Sequence, residues 1–319
     1  MAFAPGRPLA LAPAPQIVSP ETTQSVMRNV LIAMVPAFAA SLIFFGLDAL
    51  VVVGVSVVAC VGFEYLWCRL FKLPNTAGDL SAAVTGVLLA FNVPSTIPLY
   101  MLIIGDFVAV IVAKALFGGI GRNFANPAIV GRITLAVAFP VAMTDFVAPL
   151  VSFSPVDVVS AATALAPTAS ELSLADMFLG SEMGVLGETS VLAILIGFVF
   201  LLVTKTITWH VTATYVGTVF ALSTLAGLDP LMQVCSGGLM LGAVFMATDY
   251  STSPATLKGK IIFAVGCGLI TCLIRFWGNL NEGVAFSILF MNLLVPYIDQ
   301  LTPNTPVGAE KRGGGAARE

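Results

Sequence analysis

Ten apolar stretches separated by short polar turns fill most of this chain, and they leave it few ways to fold. They run about 29–46, 48–71, 79–93, 98–116, 126–140, 189–206, 208–226, 235–248, 260–277 and 283–300. A helix crossing the hydrocarbon layer of a bilayer needs roughly 20 apolar residues. Inside that layer backbone polar groups must be satisfied by the protein itself, which restricts spanning structures to helices and closed barrels. Only 10% of the residues are charged and 58% are hydrophobic, whereas soluble domains carry about 25% charged residues. The expected class is an all-α polytopic membrane protein of about ten transmembrane helices, with the lipid bilayer as its solvent. A net charge of −3 and the lack of a basic stripe argue against a nucleic-acid partner.

Charge placement predicts orientation. Residues 141–187 carry Asp145, Asp157, Glu171, Asp176 and Glu182 and no Lys or Arg. With that loop outside and the spans alternating, Arg7, Arg28, Arg69, Lys72, Lys114, Arg122, Arg132, Lys205, Lys258, Lys260, Lys311, Arg312 and Arg318 fall inside or at inner ends. Only Arg275 falls at an outer end. Both termini are then cytoplasmic. Residues 1–25, broken by prolines, and 301–319 read as disordered cytoplasmic tails, and the first is not a signal peptide.

The segments 79–93, 126–140 and 235–248 are too short to cross alone. Short or broken apolar segments usually line a site, because bare backbone cannot face lipid. Two of them begin similar stretches: "GVLLAFNVPSTIP" (Gly86–Pro98) and "GAVFMATDYSTSP" (Gly242–Pro254) share Gly86/Gly242, Ser95/Ser251, Thr96/Thr252 and Pro98/Pro254. Each is followed by a full span ending in a cation and a glycine, Lys114 with Gly118 and Arg275 with Gly278, and then by a span ending at Pro140 or Pro296. Two five-span repeats, 26–140 and 188–300, follow from this pattern. Five is odd, so the repeats face opposite ways, and such inverted repeats place their site where the halves meet.

The connection 141–187 is too long to be a simple turn. Its "ADMFLGSEMGVLGE" has apolar residues suited to docking on the membrane face, and "DVVSAAT" (Asp157–Thr163) is small and hydroxyl-rich. This stretch resembles the sequence on which a flavin transferase places FMN: Asp, two residues, Ser or Thr, usually Gly, Ala, Thr. Asp157, Ser160, Ala162 and Thr163 match, and Ala161 stands where Gly is commoner. "AKALFGGIGRNFANPAIVGR" (Ala113–Arg132) and "EGVAFSILFMNLLVPYID" (Glu282–Asp299) resemble the same family. It comprises the D subunit of the Rnf electron-transport complex and a relative, the B subunit of the sodium-pumping NADH:quinone oxidoreductase. The resemblance covers about residues 26–300, and the chain's length favours the Rnf protein. It implies a membrane subunit of a redox-driven ion pump that relays electrons between ferredoxin and NAD, coupled to Na⁺ or H⁺ translocation. It further implies FMN joined to Thr163 by a phosphoester, a second, non-covalent flavin (riboflavin), and other Rnf subunits as partners.

Several further residues are candidates. Ionisable groups within spans are costly and often functional. Glu64 is the most interior; it suits cation handling, or an interfacial salt bridge with Arg69 five residues on. Asp249 follows the broken span 235–248 and suits a cation or flavin contact. In "GGIGRNFANP", Asn126-Pro127 reads as the start of a half-helix after a tight turn; the other reading is a phosphate or flavin contact by backbone N–H groups. His210 stands beside Trp209 in a structural setting, and no catalytic triad or metal set is expected. Cys60, Cys68, Cys235, Cys267 and Cys272 form no CxxC pair and read as small buried hydrophobes; a ligand lent to a shared iron–sulfur cluster is the alternative. The sequence offers no complete active site of its own. An inverted-repeat channel or transporter for a small solute has the same span pattern, and only the loop motif separates the two classes.

Overall fold

The computed structural model describes residues 21–147, 150, 174–180, 184–278 and 283–303, and every regular element among them is helical. The helices are α1 (Thr23–Phe45), α2 (Leu47–Leu70), α3 (Ser81–Phe91), α4 (Leu99–Phe107), α5 (Pro127–Ala138), α6 (Pro140–Thr144), α7 (Leu174–Leu179), α8 (Val191–Val203), α9 (Trp209–Leu225), α10 (Pro230–Cys235), α11 (Leu239–Leu241), α12 (Leu257–Trp277) and α13 (Val284–Leu301). α4 runs on through a π-helical stretch, Val108–Val112, and α11 through another, Gly242–Met246. Five helical runs are long and apolar enough to cross a membrane: α1, α2, Leu99–Phe117, α12 and α13. α3, α5 and α8 are shorter apolar helices.

The first span begins earlier than its hydropathy suggests. Thr22 and Ser25 cap one another reciprocally, which satisfies N–H groups that the helix itself leaves bare. Residues 23–25, expected in the tail, are therefore helical. α1 and α2 are joined by Gly46 alone, at φ 63°, a backbone conformation that a side chain would strain.

The bundle is sorted by its solvent. On α2 the buried positions include Ser56, Cys60, Glu64 and Cys68, while Val58 and Leu66 are exposed. Apolar side chains thus face lipid and the scarce polar ones face protein. Backbones approach closely through glycine: a Cβ on Gly131 would lie 2.9 Å from the Gly105 carbonyl, and one on Gly197 2.2 Å from that of Ala33. The latter marks the crossing of α1 and α8.

α3 stops inside the bundle, which would leave its last carbonyls without partners. Asn92 and Val93 satisfy those of Leu88, Leu89 and Ala90, and the chain ahead of α8 supplies the rest: Gly187 N–H donates to Phe91 (2.9 Å) and Leu186 N–H to Val93 just past the helix (3.2 Å). Ser41 on α1 holds the Leu186 carbonyl in return, at 2.5 Å. Val185, Leu186 and Met177 are buried. Docking on the membrane face is the expectation from sequence; 184–187 instead enter the bundle, because the open end of α3 needs donors.

The two parts of the chain contain similar local arrangements. α3 starts from a left-handed residue, Leu80 (φ 66°, ψ 0°), and α11 from another, Gly238 (φ 66°, ψ 7°). Ser56 on α2 donates to the Gly86 carbonyl, and Thr212 on α9 to that of Ala243, each at 2.9 Å. α2, α4 and α5 pack in sequence, as do α9, α12 and α13, and α5 packs on α13. Gly197→Leu is expected to drive α1 and α8 apart, because the obstacle is backbone. The loss should be about 3 kcal/mol or more, read as a lower unfolding temperature of the purified protein; an unchanged midpoint would refute this packing.

Candidate functional site

A cleft opens where the two parts of the chain meet. Its apolar wall includes Val26, Val30, Val84, Leu88, Ile207, Val244 and Phe245, and its polar side includes Lys114, Asn123, Asn126, Asp249 and Ser251 among several hydroxyl residues. Two candidates from the sequence, Asn126 and Asp249, thus line one cleft from distant parts of the chain. Glu64 does not line it but bonds to Lys114, which does.

Asn126 is the hinge of this arrangement. Its side-chain oxygen caps α5 by accepting from Ala128 N–H (3.0 Å), and Pro127 needs no donor partner at the first helical position. Its amide nitrogen reaches the Met246 carbonyl at 3.5 Å. The Asn292 amide, assigned the orientation that satisfies both of its ends, accepts from Asn126 N–H and donates to the Thr252 carbonyl, each at 3.1 Å. Asn123 adds a contact to Ser251 Oγ at 3.4 Å. The turn "GGIGRNFANP" is thus tied side chain by side chain to "DYST", and Asn126-Pro127 does start a half-helix.

Asp249 is held by hydroxyls rather than by a cation. Its carboxylate accepts from Ser251 N–H (3.2 Å), Ser251 Oγ (2.9 Å) and Thr252 Oγ1 (3.1 Å). Burial pushes its carboxyl above the usual range, against the pull of those donors. The same loss of water raises the neighbouring Tyr250 phenol.

Glu64 pairs with Lys114 at 3.0 and 3.1 Å, both side chains being almost fully buried. The salt bridge expected with Arg69 does not form. Five residues turn a helix through about 500°, so the two side chains point apart, and Arg69 instead meets the Tyr65 hydroxyl at 3.3 Å. Lys114 also donates to Ser81 at the start of α3, Thr76 donates to Glu64 (2.8 Å), and Ser81 Oγ to Asp79. Arg275 acts comparably: it donates to the Gln233, Ser236 and Gly237 carbonyls just ahead of α11.

Arg132, an inner cation by its place in the sequence, lies buried in α5. It donates to Asn92 Oδ1 (2.7 Å) and faces Glu188 at 3.9 Å. Burial raises the Glu188 carboxyl and the charges of Arg132 and Arg275 pull it down. Sequence reasoning missed Asn92, Asn292 and Asp106. Their signal is that each is a lone polar residue inside an apolar run, and such residues are rarely idle in lipid.

His210 stacks on Trp209, ring centroids 4.4 Å apart. The five cysteines are free: Cys60 and Cys68 lie on α2, Cys235 ends α10, and Cys267 and Cys272 lie on α12. Among the described residues no three His, Cys, Asp or Glu side chains group as metal ligands. Asp157, Ser160, Ala162 and Thr163 lie outside the described residues, as does most of the loop.

A profile of the NQR2, RnfD, RnfE family matches residues 10–308. Curated relatives span nearly the whole chain. The D subunit of the Na⁺-translocating ferredoxin:NAD⁺ oxidoreductase complex of Acetobacterium woodii is 42% identical over 95% of this chain and 96% of its own length. The D subunit of the proton-translocating complex of Clostridium ljungdahlii is 37% identical over 94% and 96%. The D subunit of an ion-translocating oxidoreductase complex of Stutzerimonas stutzeri is 36% identical over 90% and 93%.

The buried pair at the cleft makes a direct prediction. Lys114→Met leaves the Glu64 carboxylate buried without its cation, at a cost of about 3–5 kcal/mol. Adding Glu64→Gln should restore most of that stability in thermal unfolding. A single variant as stable as the double would show that the pair does not form.

Proposed function

Because the chain belongs to the NQR2, RnfD, RnfE family, we propose that it is the D subunit of an Rnf-type ion-translocating ferredoxin:NAD⁺ oxidoreductase. The observation that carries this is whole-length similarity to proteins with that name. In this reading the chain works only within the complex, beside other membrane and peripheral subunits. It sits in the bacterial cytoplasmic membrane with both termini cytoplasmic and the loop 141–187 extracytoplasmic. Lys114 and Arg132 are buried and say little about sidedness. Arg28, Arg69, Lys72, Arg122, Lys205, Lys258 and Lys260 still support this orientation.

Two oppositely facing five-helix halves form the membrane domain. The matched left-handed starts at Leu80 and Gly238, the matched cations Lys114 and Arg275, and the matched hydroxyl bonds of Ser56 and Thr212 support this reading. So does the packing of α1 on α8 and α5 on α13, corresponding helices that meet at the axis of such a pair.

The covalent flavin belongs on Thr163. Small neighbours expose its hydroxyl to a flavin transferase, and Asp157, Ser160 and Ala162 complete the recognised sequence. FMN there supplies one- and two-electron chemistry; the protein sets its position, potential and access to water. The cleft is where we place the second, non-covalent flavin, riboflavin. Val84, Leu88, Val244 and Phe245 suit a planar ring, and Asn123, Asn126 and Asp249 offer donors and acceptors to a polar edge or ribityl chain. Glu64 holds Lys114 in place at that cleft.

A solute channel needs no flavin, so flavin content separates the two classes. Co-expressed with a flavin transferase, the denatured chain should fluoresce in a gel under blue light, and Thr163→Ala should abolish the band. A wild-type band that stays dark under those conditions would overturn this assignment.

A further inference from the structure

α2 carries a polar file on its inward face. Ser56, Cys60 and Glu64 recur every fourth residue, so they stack a turn apart over about 12 Å, and all three are buried. The file begins at the cleft, where Glu64 meets Lys114. It ends deep in the bundle at Asp106 of α4, which is fully buried. Asp106 Oδ1 lies 2.6 Å from Ser56 Oγ and 3.2 Å from Cys60 Sγ, and Oδ2 has no hydrogen-bond partner among the described residues.

No cation among the described residues answers this carboxyl. On α2 the charged neighbours are Glu64, already matched by Lys114, and Asp48 and Arg69 near the helix ends. α3 and the π-helical stretch carry no charge. Arg132 on α5 is engaged by Asn92 and Glu188. An isolated carboxylate in such surroundings is very costly.

Hydrogen counting points the same way. Ser56 has one hydroxyl hydrogen and two oxygens within reach, Gly86 O at 2.9 Å and Asp106 Oδ1 at 2.6 Å. Two full hydrogen bonds, rather than one hydrogen shared between two acceptors, form when Asp106 supplies the second hydrogen, giving the chain Asp106 to Ser56 to Gly86. When the proton leaves, the Ser56 hydroxyl turns from Gly86 to the carboxylate, and Cys60 donates beside it. An alkali cation has no room among oxygens already at hydrogen-bonding distance. Nor does the packing require an acid: Thr212 makes the same hydroxyl-to-carbonyl bond with Ala243 using none.

We propose that Asp106 is a site within the membrane domain that binds and releases a proton. That exchange accompanies ion translocation rests on the function proposed above; the site itself does not. In the assembled complex, Asp106→Asn keeps a donor for Ser56 but cannot release a proton. Ion translocation into inverted vesicles, driven by reduced ferredoxin and NAD⁺, should fall at least about tenfold, while the complex assembles with its usual subunits. Translocation at the wild-type rate would reduce Asp106 to a hydrogen-bonding strut and overturn the proposal. Should the variant not assemble, the wild-type complex decides without turnover. A lipophilic carbodiimide attacks only protonated carboxyls, so a mass adduct is expected on Asp106, formed more slowly as pH rises; its absence across the pH range would overturn the proposal too.

Discussion

A helix that ends inside a bilayer exposes backbone groups that no water can reach, and this fold has several such ends. α3 stops at Phe91, α5 starts at Pro127, and α11 with its π-helical extension gives out at Met246. Each unsatisfied group in hydrocarbon costs several kcal/mol. The chain meets that demand with its own distant parts. Leu186 and Gly187 supply donors to α3, and Asn126 caps α5 while reaching the Met246 carbonyl and the Asn292 amide.

The cleft follows from the same demand. Broken helices leave room where continuous ones would fill it, and their ends bring polar groups to that room. The charged residues around it are placed so that each has an answer: Glu64 by Lys114, Arg132 by Asn92 and Glu188, Asp249 by Ser251 and Thr252. Outside, Val58, Leu225 and Trp277 are exposed because lipid is as apolar as they are. A sparsely polar interior of this kind suits charge movement, since any change at one group is felt by few others and is poorly screened.

The helical, membrane-embedded class is legible in the sequence because length and apolarity decide it. Five of the apolar stretches are helical runs long enough to cross a membrane, and the others hold shorter helices. The start of α1 is less legible, since a cap made by Thr22 and Ser25 extends it beyond its apolar run. Half-helix positions are readable for a related reason: Asn-Pro and short apolar runs mark them. Partners are not. Arg69 is the natural match for Glu64 on one helix, whereas the true partner is Lys114 on another element. Asn292 and Asp106 look incidental in "LFMNLLVP" and "IIGDFVAV"; their meaning lies in Asn126 and Ser56, which sequence order does not bring near. The path of 184–187 into the bundle depends on the open end of α3, a feature of packing alone. The residues of the flavin motif, by contrast, rest on sequence.

On the proposed inversion of the two halves, α3 and α11 enter the membrane from opposite sides, and the cleft lies between them. Gly78 and Ala226 are exposed and precede those two elements. With the five native cysteines replaced, a Gly78→Cys variant should react with a membrane-impermeant thiol reagent only in inside-out vesicles, and an Ala226→Cys variant only in intact cells. Labelling of both from the same side would contradict the account.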